Sequence, residues 1–267
     1  VQIGPGASRS SIRSTANWSS AAAPRCSICA SSSRPIEVTT FPQSTDPDIL
    51  ARIVFPRSGS TTPEIGELFD AMARRVTNRL SFSEEAPPDD LLERIRSAAT
   101  AEGVNISLLR SQEDRERVAA LVAEADRRQF CDPNFRRELA TWIHPSRSSD
   151  GMPAYSQGIT PLVDATTPIV AMVIRTFDVG HGVAATHEAL ARSSPLLVVL
   201  STTTDNNESW LATGHALERV LLVAAASDFS ASYLKQPIEV PELRRRLAEE
   251  MGTARYPQLV LRIGRGP

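Results

Sequence analysis

Three guanidinium groups and one hydroxyl fall within the run Arg74-Arg75-Val76-Thr77-Asn78-Arg79. Arginine forks match phosphate oxygens in a bidentate way, and a threonine hydroxyl adds a further donor. The run therefore suits a phosphate ester. It suits equally well a solvated basic helix end that complements the helix dipole. A second stretch, Tyr233-Leu234-Lys235-Gln236-Pro237-Ile238-Glu239, lies between a long apolar helix and a short one beginning at Val240-Pro241. Backbone amides and a glutamine amide in such a loop can lie along the edge of a polar heterocycle. A plain turn between helices would use the same residues.

The remaining reactive side chains point to no chemistry of their own. Cys26-x-x-Cys29 has no second pair, as a zinc site would require. Cys131 stands just before a helix start and is expected to be a buried structural thiol rather than a thiolate. The histidines, His144, His181, His187 and His215, fall at no metal-ligand spacing with cysteines or carboxylates. His181 and His187 would sit on different faces of a helix. No G-x-S-x-G, Walker, Rossmann glycine or H-E-x-x-H pattern occurs, so hydrolase, kinase and zinc-enzyme classes find little support. No catalytic acid or base and no metal ligand is assigned.

The elements that must carry the two stretches follow from hydrophobic period. Ile36–Thr40 and Ile49–Phe55 read as strands. Thr62-Pro63-Glu64 is a helix start, with Ile65, Leu68, Phe69 and Met72 at helical spacing. Pro87–Ala101 is a second helix, with Leu91, Leu92 and Ile95 on its apolar face and Gly103 placed to end it. Ile106–Leu109 fits a strand and Glu113–Arg128 a charged helix. Asp132-Pro133 opens a helix carrying Phe135, Leu139 and Trp142. Residues 144–166 read as a long loop of the kind that forms lids. Pro168–Phe177 is apolar and ambiguous. Pro195–Ser201 is a continuous apolar run fit for a buried central strand. Asp205–Asn207 caps a long helix reaching Ser227, with Trp210, Leu211, Leu217 and Leu221 inward. Pro241–Met251 is a short helix and Gln258–Ile263 a last strand. The expected class is α+β, a mixed, mostly antiparallel sheet flanked by helices.

Bulk properties set the bounds. The chain has 267 residues, 41% hydrophobic and 22% charged, as in ordinary globular proteins. A net charge of −2 implies no broad attraction to nucleic acid or to a membrane surface. No apolar run is long enough to span a bilayer, and a cytoplasmic location is the default. Residues 1–34 are Ser-rich and poor in apolar period, which reads as a disordered tail. A frame-shifted reading of residues 1–29 instead gives an apolar, helix-like text, so a shifted domain segment is the other expectation.

Taken together, the chain resembles the nitroreductase superfamily of FMN flavoproteins, and is most similar to its Acg-like subfamily, in which two nitroreductase-like halves share one polypeptide. The resemblance runs through DPDILARI, RRVTNRLSF, FCDPNFRRELATWIHPSRSSDGMPAY, PLLVVLST, GHALERVLL, SYLKQPIEVPELRRRL and PQLVLRIG. It implies a pseudo-duplicated domain over 35–267, with a partial N-half to about 73 and a C-half from about 74. It implies FMN as cofactor. Arg75, Thr77 and Arg79 match the phosphate-binding R-R-S-x-R-type element. Lys235, Gln236, Pro237, Ile238 and Glu239 match the stretch along the isoalloxazine ring. Arg262 and Gly264 match the end of the last strand near the phosphate. The DGMPAY loop matches a lid.

The implied activity is electron transfer from NAD(P)H through FMN to a nitro or quinone acceptor. The implied partners are NAD(P)H and a small aromatic acceptor, with the chain as monomer or homodimer. A protein that sequesters FMN without turnover and an inactive truncated product are the alternatives. The subfamily's S-x-x-N-x-Q-P-W element and basic C-terminal extension are not found in this sequence.

Overall fold

The computed structural model describes residues 37–41, 49–54, 63–144, 152–153 and 167–266. In chain order the elements are β1 (Glu37–Thr40), β2 (Ala51–Val54), α1 (Pro63–Arg74), α2 (Asp89–Ala101), β3 (Asn105–Leu109), α3 (Gln112–Cys131), α4 (Pro133–Trp142), β4 (Ile143–His144), β5 (Met152–Pro153), α5 (Thr167–Thr176), α6 (Gly180–Ser193), β6 (Leu196–Thr202), α7 (Asn207–Ala226), β7 (Ser230–Tyr233), α8 (Gln236–Glu239), α9 (Pro241–Glu250) and β8 (Tyr256–Gly264). The Ser-rich segment, the Cys26/Cys29 pair and most of the expected lid lie outside the described residues.

The centre is a four-stranded sheet in the order β3-β6-β8-β7, antiparallel throughout. β6 is buried along its whole length, as its unbroken apolar run requires. Its side chains alternate between two cores. Leu196, Val198 and Leu200 pack with Leu68 and Ala71 of α1, Leu91 and Ile95 of α2, and Val220 and Leu222 of α7. Leu197 and Val199 pack with Leu121 and Val122 of α3, Ala191 of α6, and Leu243 and Leu247 of α9. Each such Leu or Val contributes about 1.5–3 kcal/mol relative to exposure, so the helices clamp the sheet from both faces. A smaller cluster joins Phe130, Ile143 and Ile174. The expected α+β class, mostly antiparallel and flanked by helices, is the observed one.

Local signals placed the helix ends well. Asp132 accepts from the Asn134 N–H at 2.8 Å ahead of Pro133. Asn206 accepts from the Ser209 N–H at 2.9 Å. Gly103 follows α2 at φ +73°, a left-handed conformation that costs an L side chain strain. The ambiguous Pro168–Phe177 run is helical, as α5.

Other expectations were displaced. Phe69 is 64% exposed, because Leu68 and Ala71, with Ile65 and Met72 packed beside them, are the α1 side chains that reach the core. Trp210 and Trp142 are also surface residues; Trp210 turns its Nε1 to Asp205 Oδ1 at 2.7 Å. Cys131 is exposed rather than buried. Tyr233, expected in a helix–helix link, instead ends β7, which is a strand because β8 offers it a partner edge. α1 lies before the half-boundary expected near residue 74, yet it shares a core with α2 and α7. β1 and β2 pair with each other, and β4 with β5. Among the described residues no helix is long and apolar enough to cross a membrane.

Candidate functional site

The arginine-rich run leaves α1 at Arg74 and lies along the free edge of β7. Thr77 makes a parallel bridge to Ala231, and the Asn78 N–H donates to the Ala231 carbonyl at 3.1 Å. This strap is held from below by Arg262, a residue only 1% exposed. Its guanidinium donates to the carbonyls of Leu80 at 2.9 Å and Asn78 at 3.0 Å, and lies 4.5 Å from the Phe82 ring centroid. Burial pushes its pKa down to about 10, so it stays charged near neutral pH. Gly264 is needed beside it: a Cβ there would stand 2.6 Å from Phe82 Cβ and Cγ. The hydrogen bonds of Arg262 thus shape the strap, and Gly264 gives Phe82 room to pack.

Arg75 is half-buried, with Nε 3.9 Å from Glu218 Oε1 of α7. Burial raises the Glu218 carboxyl more than the Arg75 charge lowers it. Tyr233, at the end of β7, has its phenol raised mainly by burial, with Arg75, Glu218, Arg79 and Thr77 also acting on it. Arg79 is exposed and enters no ion pair among the described residues. Arg74, by contrast, is tied to Asp228 at 3.1 Å.

The chain then runs from β7 directly into the second stretch. Leu234 N–H donates to the Val260 carbonyl at 2.9 Å, and Gln236–Glu239 closes as the single turn α8 around buried Pro237. Lys235 Nζ lies 3.4 Å from Glu239 Oε1, and Gln129 Nε2 donates to Glu239 Oε2 at 2.8 Å. The Gln236 amide sits 2.9 Å from His187 Nδ1, which in turn is 2.8 Å from Asp126 Oδ2. Asp126 is 2% exposed. The other end of the Gln236 amide, Oε1, is buried with no partner among the described residues. Asp126 and His187 were not singled out from sequence as a pair. They lie 61 residues apart, on α3 and α6, and no local pattern links them.

β7 therefore joins all the expected site residues. The strap with Arg75, Thr77 and Arg79 lies along its edge, Lys235–Glu239 continues from its end, and Arg262 pairs with Ser232 and Gly264 with Ser230 on its other side. The donor set fits a phosphate and a polar ring. Thr77 supplies a hydroxyl and Arg79 a charge that enters no ion pair among the described residues, and at α8 the buried Gln236 Oε1 has no partner among them. The Glu218 carboxylate beside Arg75 opposes an anion there. Cys131 offers nothing comparable: Asp178 Oδ2 at 3.5 Å raises its thiol by hydrogen bonding, so a thiolate is disfavoured. Among the described residues no group of three or more His, Cys, Asp or Glu side chains is placed to hold a metal ion.

No family model matches the chain. Among curated proteins it is 31% identical over 237 residues to the Mycobacterium tuberculosis protein named "Putative NAD(P)H nitroreductase acg", covering 86% of this chain and 67% of that protein. It is 30% identical over 199 residues to "Putative NAD(P)H nitroreductase Rv3131" of the same species, covering 74% of this chain and 55% of that one. The chain thus spans about two thirds and about half of these two relatives. Among solved structures, an FMN and NADPH-dependent nitroreductase, NfnB from sphigopyxis sp. strain HMH, matches at TM-score 0.47 and 16% identity, over 74% of this chain and 88% of that one. A nitroreductase with bound FMN from Bacteroides fragilis matches at TM-score 0.42 and 13% identity, over 75% and 89%. Both structural likenesses are remote. The identity to the acg protein is not: at 31% over 86% of its length, the chain belongs to the Acg-like nitroreductase family.

Proposed function

We propose that the chain is an FMN-dependent oxidoreductase of nitroreductase type, holding the phosphate at Arg75, Thr77 and Arg79 and the ring along Lys235–Glu239. The observation that carries the reading is the bridge between Thr77 and Ala231, which sets the strap beside the strand that feeds the loop. The names of the curated relatives agree with NAD(P)H as reductant. FMN held there would supply the redox chemistry between NAD(P)H and a nitro or quinone acceptor.

The chain's own residues bind and orient. The exposed Arg79 guanidinium and the Thr77 hydroxyl grip phosphate oxygens. Arg262 keeps the strap's carbonyls turned inward, which leaves the outer face of the strap to the phosphate. Buried Pro237 and the Lys235–Glu239 and Gln129–Glu239 contacts hold α8 in place. Glu218 sets an upper limit on anion affinity at Arg75, since part of that guanidinium's charge is already balanced.

The test is reconstitution of the purified chain with FMN, followed by stopped-flow mixing with NADPH. Retained flavin that bleaches on mixing supports the reductase. Retained flavin that does not bleach means a sequestering protein, and no retention sinks the cofactor itself. Arg79→Ala should weaken FMN retention about tenfold or more while leaving the melting temperature of the flavin-free chain unchanged. Equal flavin content in variant and parent would argue against a phosphate at the strap.

A further inference from the structure

The Asp126–His187–Gln236 contacts cannot all be hydrogen bonds as the amide stands. His187 Nδ1 meets Asp126 Oδ2 at 2.8 Å and Gln236 Nε2 at 2.9 Å. A buried carboxylate accepts, so Nδ1 must carry the proton and donate to it. The same nitrogen then has no lone pair for the Gln236 NH2 group. The amide satisfies the site only when turned over, with its oxygen sharing the Nδ1 proton. Turning it moves the NH2 group into the place where Oε1 is buried without a partner. Leaving a buried amide end unpaired is unfavourable, so that end calls for an acceptor.

We infer that Asp126 and His187 are positioning residues that fix the Gln236 carboxamide with its NH2 group at the buried, unpartnered end, as a donor to a carbonyl or ring-nitrogen acceptor of the bound heterocycle. The inference rests on the flavin reading above and adds to it a chain of command. The carboxylate sets the imidazole tautomer, the tautomer sets the amide, and the amide reads the ring. The three groups come from α3, α6 and α8, so the orientation is imposed by packed helices rather than by the loop itself. Their separations of 61 and 49 residues keep this device out of any local motif.

Two measurements test it. In the flavin-free protein, a long-range proton–nitrogen NMR spectrum of the neutral His187 ring should show the proton on Nδ1; a proton on Nε2 would overturn the dyad whether or not FMN binds. In the FMN-loaded protein, Asp126→Asn, His187→Ala and Gln236→Ala should each change the relative affinity for oxidised and reduced FMN about tenfold, which is about 30 mV in the two-electron midpoint potential. The diagnostic is a double-mutant cycle. With Gln236 already replaced by Ala, Asp126→Asn should change the potential no further. Additive shifts would show that Asp126 acts on something other than the amide, and would refute its positioning role while leaving FMN binding intact. Failure of the unaltered protein to bind FMN would instead remove the flavin reading itself.

Discussion

At the scale of single residues, the site separates side chains that bind from side chains that build. Arg79 and Arg262 were both expected near a phosphate, and sequence had no means to tell them apart. Burial does. Arg262 is buried, with one terminal nitrogen on each of two carbonyls and its face against Phe82, whereas Arg79 is exposed and enters no ion pair among the described residues. Their replacement should therefore fail in different ways. Arg262→Ala leaves the Asn78 and Leu80 carbonyls without donors and opens a cavity, at a cost of about 2–4 kcal/mol. Chemical denaturation should register that loss in the flavin-free protein. Arg262→Lys should recover only part of it, because a point charge cannot hold two carbonyls as a planar fork does. If Arg262→Ala unfolds at the parent's denaturant concentration, the fork is not what holds the strap.

At the scale of elements, what could be read in advance was whatever local sequence decides. The continuous run of β6, the caps at Asp132 and Asn206 and the left-handed Gly103 were legible because each is dictated by its own neighbours. β7 was not: Ser230-Ala231-Ser232-Tyr233 has little strand character, and it is a strand because β8 pairs with it on one side and the strap on the other. Phe69 and Trp210 misled for a related reason, since a helix can bury only one face and smaller neighbours took it. The site inherits the same split. The strap and α8 were legible as stretches, while the Asp126–His187 support required the fold.

One inter-element tie lends itself to titration. Asp205, just before α7, accepts both Arg244 terminal nitrogens of α9, at 2.7 and 3.0 Å, and the Trp210 indole. Burial alone would raise its carboxyl. Hydrogen bonds from Arg244 and Trp210, the Arg244 charge and Gln258 outweigh it and bring the pKa from 3.8 to about 2. The folded value is the lower one, so the unfolded chain binds the proton more readily. The stabilisation is present above about pH 4 and is lost as pH falls toward 2. Allowing for solvent screening of a partly exposed pair, it amounts to about 1–2 kcal/mol. Asp205→Asn should lower stability at pH 7 and flatten the decline between pH 4 and 2. An unaltered acid limb in the variant would mean that the tie contributes nothing.

At the scale of the whole molecule, the question is where the folding unit begins. Among the described residues, every member of the three buried clusters lies at or after Leu68. β1 and β2 pair with each other, and a lone two-stranded ribbon is marginal in water. α1 belongs with the later elements, because Leu68 and Ala71 fill the core beneath α7. Among the described residues the buried core thus begins on α1, ahead of the boundary between halves expected near residue 74. A chain beginning just before Pro63 should then melt within about 3 °C of the parent, since for a domain of this size each kcal/mol shifts the midpoint by about 2–4 °C. A chain beginning at Arg75 should lose far more, because it leaves Leu91, Ile95 and Val220 facing the space that α1 fills. Calorimetry on the two truncations separates the alternatives. A drop of 8 °C or more in the longer chain would mean that residues before Pro63 complete the core. Survival of the shorter one would mean that α1 is an appendage, and the strap would then lose the rigid helix from which Arg75 and Arg79 are launched.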